Sequence, residues 1–89
     1  MRVYCFHAEW CHSCPVVASA FNELKSEMQD ESMEFIDVDV ESDKGVDLSS
    51  MYQVRNVPTV LIVKNNRVVE RISGTISKEK LREIISKWK

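Results

Sequence analysis

Two cysteines two residues apart, in Trp10-Cys11-His12-Ser13-Cys14-Pro15, constrain this chain more than any other feature. An apolar run precedes them and an amphipathic pattern follows, so the pair falls where a strand passes into a helix. In that setting Cys-x-x-Cys reads as a dithiol redox site. With a helix starting near Cys11, its free backbone N–H groups and positive dipole end face the first sulfur and favour thiolate. Cys14 follows one turn later on the same face, near enough to close a small disulfide ring. Thiol–disulfide exchange needs this arrangement, because one accessible thiolate attacks and a second thiol resolves the mixed disulfide. Metal binding is the competing use, since Cys5, His7 and His12 are further candidate ligands. One Cys-x-x-Cys supplies only half a tetrahedral set, and no metal is expected.

Eighty-nine residues suit a single domain, 1–89. A net charge of -2 carries no footprint for nucleic acid or an anionic membrane surface. The opening Met1-Arg2-Val3-Tyr4-Cys5-Phe6-His7 is too mixed for a signal-peptide core, and no apolar run reaches spanning length. Three cysteines are too few for a disulfide scaffold, so a cytoplasmic location is expected.

Residues 2–7 predict a buried strand. A helix is expected from Cys11 to Asp30, with Val17, Ala20, Phe21, Leu24 and Met28 on one face and Pro15 in its first turn. Glu34–Glu41 alternates as a second strand, and a shorter helix runs from Asp43 through Tyr52. Val57–Val63 is a third strand with Pro58 at its head. Lys64-Asn65-Asn66-Arg67 predicts a tight hairpin turn, returning through Val68, Val69 and Ile72. Ser77 can cap a last helix carrying Leu81, Ile84, Ile85 and Trp88 on one face. The fold class is therefore α/β, a central four-stranded mixed sheet flanked by three helices.

Phe6-His7-Ala8-Glu9-Trp10-Cys11, Val54-Arg55-Asn56-Val57-Pro58-Thr59 and Ser73-Gly74-Thr75 occur in the order of three segments of the thioredoxin family, which the chain resembles. The resemblance implies a thioredoxin-like fold without the N-terminal strand and helix of full-length members. It also implies a monomeric enzyme that reduces protein disulfides through a redox-active Cys11–Cys14 disulfide. Such an enzyme serves electron transfer and redox homeostasis without a bound cofactor, and an NADPH-dependent flavoprotein reductase recharges it. Val57–Pro58 would be a cis peptide facing the disulfide, with Val57 backbone groups pairing an extended substrate and Gly74 leaving room for it. Trp10 would border the site as a contact surface. A glutaredoxin-like, glutathione-dependent reductase is the alternative enzyme, although Asn65-Asn66 and Gly74 stand in place of its Gly-Gly and acid. A thioredoxin-fold binding or assembly module is the alternative without chemistry.

The chain departs from the family pattern near the dithiol. His12-Ser13 stands where the family carries Gly-Pro, and a protonated His12 would stabilise the neighbouring thiolate. Cys5 occupies the place of a buried aspartate, and Asp37 aligns with that aspartate's lysine partner. Asp37 is accordingly expected to enter the space behind Cys14 and to move its proton, with a solvent-facing acid as the alternative. Cys5 itself is expected to be a packed, inert core thiol.

Overall fold

The computed structural model describes all 89 residues, and β1 (Arg2–His7) is the strand on which the rest assembles. Its side chains alternate between two apolar faces, as pleating requires, and Val3 to Phe6 are all buried. Val3 and Cys5 join Val17, Phe21 and Leu24 of α1 (Cys14–Met28) and Leu81 and Ile85 of α3 (Lys78–Trp88). Tyr4 and Phe6 point the other way, toward Val38, Leu61 and Val63, with Leu48 of α2 (Asp43–Met51) and Tyr52 packed over them. Full burial of a side chain such as Phe21 or Leu24 contributes about 1.5–3 kcal/mol, so these two clusters hold the layers together.

The sheet order is β2-β1-β3-β4, with β2 spanning Glu34–Asp39, β3 Thr59–Lys64 and β4 Arg67–Ser73. β1 pairs parallel with β2 and antiparallel with β3, which in turn pairs antiparallel with β4. Four mixed strands and three helices match the expected class. The hairpin turn is where the asparagines place it: Asn65 and Asn66 both take positive φ, at 53° and 63°. Ser77 caps α3 by accepting from the Lys80 N–H at 3.1 Å. Lys78 reaches back from α3 to Glu23 and Glu27 of α1, at 3.1 and 2.6 Å, and Arg82 also pairs with Glu27.

Several boundaries differ from the expected ones: α1 ends at Met28 rather than Asp30, α2 at Met51 rather than Tyr52, and β3 spans Thr59–Lys64 rather than Val57–Val63, while two further shifts bear on the site. α1 begins at Cys14, three residues later than expected. A start at Cys11 would place Pro15 beyond the turn whose N–H groups need no partner, whereas a start at Cys14 leaves its missing N–H harmless. β2 stops at Asp39 rather than Glu41 because local side chains capture the backbone. The Asp39 carboxylate accepts from the Glu41 N–H at 2.9 Å, and the Ser42 hydroxyl donates to the Asp39 carbonyl at 2.7 Å.

The carboxyl ends of β1 and β2 and the amino end of β3 therefore meet at one edge of the sheet. Open α/β sheets place their sites at such an edge.

Candidate active site

Cys11 and Cys14 are joined in a disulfide at this edge, with Cα atoms 5.4 Å apart. Cys11 lies in the turn before α1, where its N–H donates to the Ala8 carbonyl at 3.2 Å, while Cys14 is the first residue of the helix. Both are buried, 8% and 3% exposed, and Cys11 is the more exposed of the two. Ala8 completes a small apolar cluster with them, and Val40, just past β2, and Val57, just ahead of β3, pack against it. No three His, Cys, Asp or Glu side chains converge as a metal site requires.

Val57–Pro58 is a cis peptide, and Val57 touches the cysteine cluster directly. The Gly74 N–H donates to the Pro58 carbonyl at 2.9 Å, tying the end of β4 to this loop. Gly74 has φ of 87°, which favours glycine, and a Cβ built there meets nothing within 4 Å, so the space above it is open. Trp10 projects outward with 65% of its surface exposed. Trp10, Val57, Pro58 and Gly74 thus lie around the disulfide edge, contributed by three separate loops.

The polar residues divide differently. His12 is exposed and makes no hydrogen bond. Ser13 occupies the N-cap position without capping, and its hydroxyl instead lies 3.7 Å from the Cys11 sulfur. The sequence reading passed over Ser13; an N-cap-type residue between two cysteines was the available signal. A donor at that distance favours an anionic sulfur once the disulfide is opened.

Asp37 is not the buried carboxylate that was expected behind Cys14. It faces the same side of the sheet as Cys5, but β2 is an edge strand and half of the Asp37 side chain is exposed. It accepts from His7 Nε2 at 2.9 Å, forming a pair at the lip of the sheet.

Cys5 is fully buried, and burial, with a smaller contribution from the Asp37 charge, pushes its thiol up to about 12. It stays protonated at neutral pH and acts as an apolar core group. The folded value lies above the ordinary ~8.5 of an unfolded thiol. Its contribution to stability is thus complete below that pH and lost as pH rises from about 9 toward 12, by up to ~1.4 kcal/mol per unit. Urea unfolding at pH 7 and pH 10.5 is expected to show a smaller alkaline loss for Cys5→Val than for wild type. Parallel losses would refute this.

The matching family model is Thioredoxin, aligned over residues 2–87. A thioredoxin of Bacillus subtilis is 35% identical over 82 residues, covering 92% of this chain and 76% of the relative. A thioredoxin of Listeria monocytogenes is 36% identical over 83 residues, covering 93% and 78%. Among solved structures, Fasciola hepatica thioredoxin superposes with a TM-score of 0.83 at 34% identity, covering 99% of this chain and 80% of that one. With the family model, these relatives and the bonded Cys11–Cys14 pair in agreement, the chain belongs to the thioredoxin family of thiol–disulfide oxidoreductases.

Proposed function

We propose that the chain works as a reductase of protein disulfides in the cytoplasm, with Cys11 as nucleophile and Cys14 as resolving thiol. The observation that carries this reading is the placement of the two sulfurs, Cys11 outermost in a turn and Cys14 drawn into the first turn of α1. In the reduced protein the Cys11 thiolate attacks one sulfur of the substrate disulfide. The other substrate sulfur leaves as a thiolate and takes a proton. Cys14, on losing its proton, attacks the Cys11 sulfur, re-forms the Cys11–Cys14 disulfide and releases the second substrate thiol. Two electrons have then passed from the protein to its substrate. A second dithiol must return them, and an NADPH-linked flavoprotein reductase is the partner assigned to that step. Val57 beside the cis bond, Pro58, the open space over Gly74 and the exposed Trp10 form the surface on which the substrate segment lies.

His12 and Ser13 set the poise. His12 next to Cys11 and the Ser13 hydroxyl at 3.7 Å are both placed to stabilise the Cys11 thiolate, which favours the dithiol over the disulfide. Each pKa unit taken from the thiol is worth about 1.4 kcal/mol, or roughly 30 mV for this two-electron couple. The test has two parts. Catalytic amounts of the chain are expected to accelerate reduction of a protein disulfide by dithiothreitol, and absence of acceleration rejects the reading. Equilibration in glutathione buffers is expected to give a lower potential for the His12-Ser13→Gly-Pro variant, and an equal or higher one rejects the tuning role.

A further inference from the structure

We propose that His7, oriented by Asp37, is the base that takes the Cys14 proton when the mixed disulfide is resolved. The inference rests on the reading of Cys14 as the resolving thiol, a step that leaves a proton to be placed. Strand parity and helix docking bring the two side chains together. β1 turns Val3 and Cys5 toward α1, and His7 is the next side chain on that face, at the strand's carboxyl end. α1 packs Val17 into the Cys5 cluster. Cys14 lies one turn earlier on the same helix face and clusters with Ala8, the residue after His7. The first turn of α1 therefore lies over the end of β1, and only 25% of the His7 side chain is exposed. The Val40 N–H donates to the His7 carbonyl at 2.9 Å, which fixes the backbone from which the ring projects.

The two ring nitrogens have different surroundings. Nε2 faces the Asp37 carboxylate at 2.9 Å, while Nδ1 has no hydrogen-bond partner in the protein. A carboxylate at Nε2 holds the N–H there, leaves the lone pair on Nδ1 and stabilises the imidazolium once Nδ1 takes a proton. Imidazole is also the side chain that exchanges protons near neutral pH. The other groups around this spot do not replace it. Cys5 keeps its own proton, and Asp37 is half-exposed and engaged with His7. The Asp39 carboxylate, across from His7 on β2, accepts from the Glu41 N–H. β3 reaches this end of β1 at Thr59, α1 carries no charge before Glu23, and Glu9 and His12 of the intervening loop are exposed. In the step, the Cys14 S–H bond breaks and the proton goes to His7 Nδ1. The Cys14 sulfur bonds to the Cys11 sulfur, and the bond from Cys11 to the substrate sulfur breaks with its electron pair on the substrate. The imidazolium then gives its proton to the departing thiolate. Cys14 is oxidised and the substrate sulfur reduced.

The test mixes reduced protein with an excess of a chromogenic aryl disulfide in stopped flow. Coloured thiolate appears twice, first as Cys11 attacks and then as Cys14 resolves. His7→Gln keeps an N–H for Asp37 but has no basic nitrogen, so it separates a structural histidine from a base. Its second phase is expected to be about tenfold or more slower than wild type at pH 7. That ratio should fall toward one by about pH 9.5, above the ordinary ~8.5 of a thiol, where Cys14 ionises unaided. Asp37→Asn should slow the second phase a few-fold at pH 7, and the first phase should be alike in all three proteins. A wild-type pH profile in His7→Gln, a slowing equal at every pH or shared by the first phase, or a wild-type second phase in Asp37→Asn overturns the inference and leaves Cys14 as the resolving thiol. Absence of a second phase in the wild type overturns the resolving role itself, and the inference with it.

Discussion

Cys14→Ser is expected to turn the protein into a trap for its substrates. With the outer sulfur intact, Cys11 still attacks a substrate disulfide, but nothing within reach then resolves the bond it has made. Uncatalysed disulfide rearrangement takes minutes to hours, so the covalent adduct should survive separation on a non-reducing gel. Cys11→Ser leaves the inner sulfur, 3% exposed and held in the first turn of α1, facing a substrate it cannot approach. It should trap nothing, and its turnover should fall to the uncatalysed background. Incubating both variants with an oxidised protein substrate and counting reducible adducts decides the assignment. Equal trapping by the two would show that the sulfurs are interchangeable and that their placement carries no function.

Gly45→Ala should be the most damaging single methyl in the chain outside the dithiol. Gly45 is in the first turn of α2, where its N–H donates to the Ser42 hydroxyl at 2.9 Å, and that hydroxyl donates to the Asp39 carbonyl. The helix therefore approaches the end of β2 along its backbone. A Cβ at position 45 would fall well inside contact distance of the Asp39 carbonyl oxygen, a backbone atom that cannot rotate away. Alanine brings roughly 1 kcal/mol of helix preference over glycine. Overpacking costs about 1–3 kcal/mol and occasionally more, and with backbone as the obstacle it falls at the upper end, so about 3 kcal/mol of clash outweighs the gain. A loss of about 2 kcal/mol corresponds to a fall of ~8–16 °C in Tm for a domain of this size. An unchanged Tm would mean that α2 can lift off β2 at no cost.

The elements were legible because each rests on a local rule that no distant contact overrides. The Asn65-Asn66 pair accepts positive φ, Ser77 caps, and the alternating side chains of β1 name both of its faces. The start of α1 was less legible, since the apolar spacing begins only at Val17 and leaves the preceding turn free. Pro15 held the missing information, read against the rule for free N–H groups rather than against the cysteines. Within the site, the two cysteines were legible through their spacing and setting, whereas the cis Val57–Pro58 peptide and the place of Gly74 came from the resemblance to the thioredoxin family. The depth of Asp37 could not be read the same way. Its face follows from strand parity, but its burial depends on what covers the edge strand, and that is a property of the assembled layers.

β3 runs antiparallel to β1, so it leaves the disulfide edge at Thr59 and reaches Lys64 at the opposite rim of the sheet. Six residues of strand separate the two rims by roughly 20 Å. The Asn65-Asn66 turn crowns that far rim, away from the Cys11–Cys14 bond. The molecule consequently has a handle. A linker spliced into the turn, or an electrode attached through it, would present the redox edge outward, with the reactive sulfurs facing whatever is brought to them.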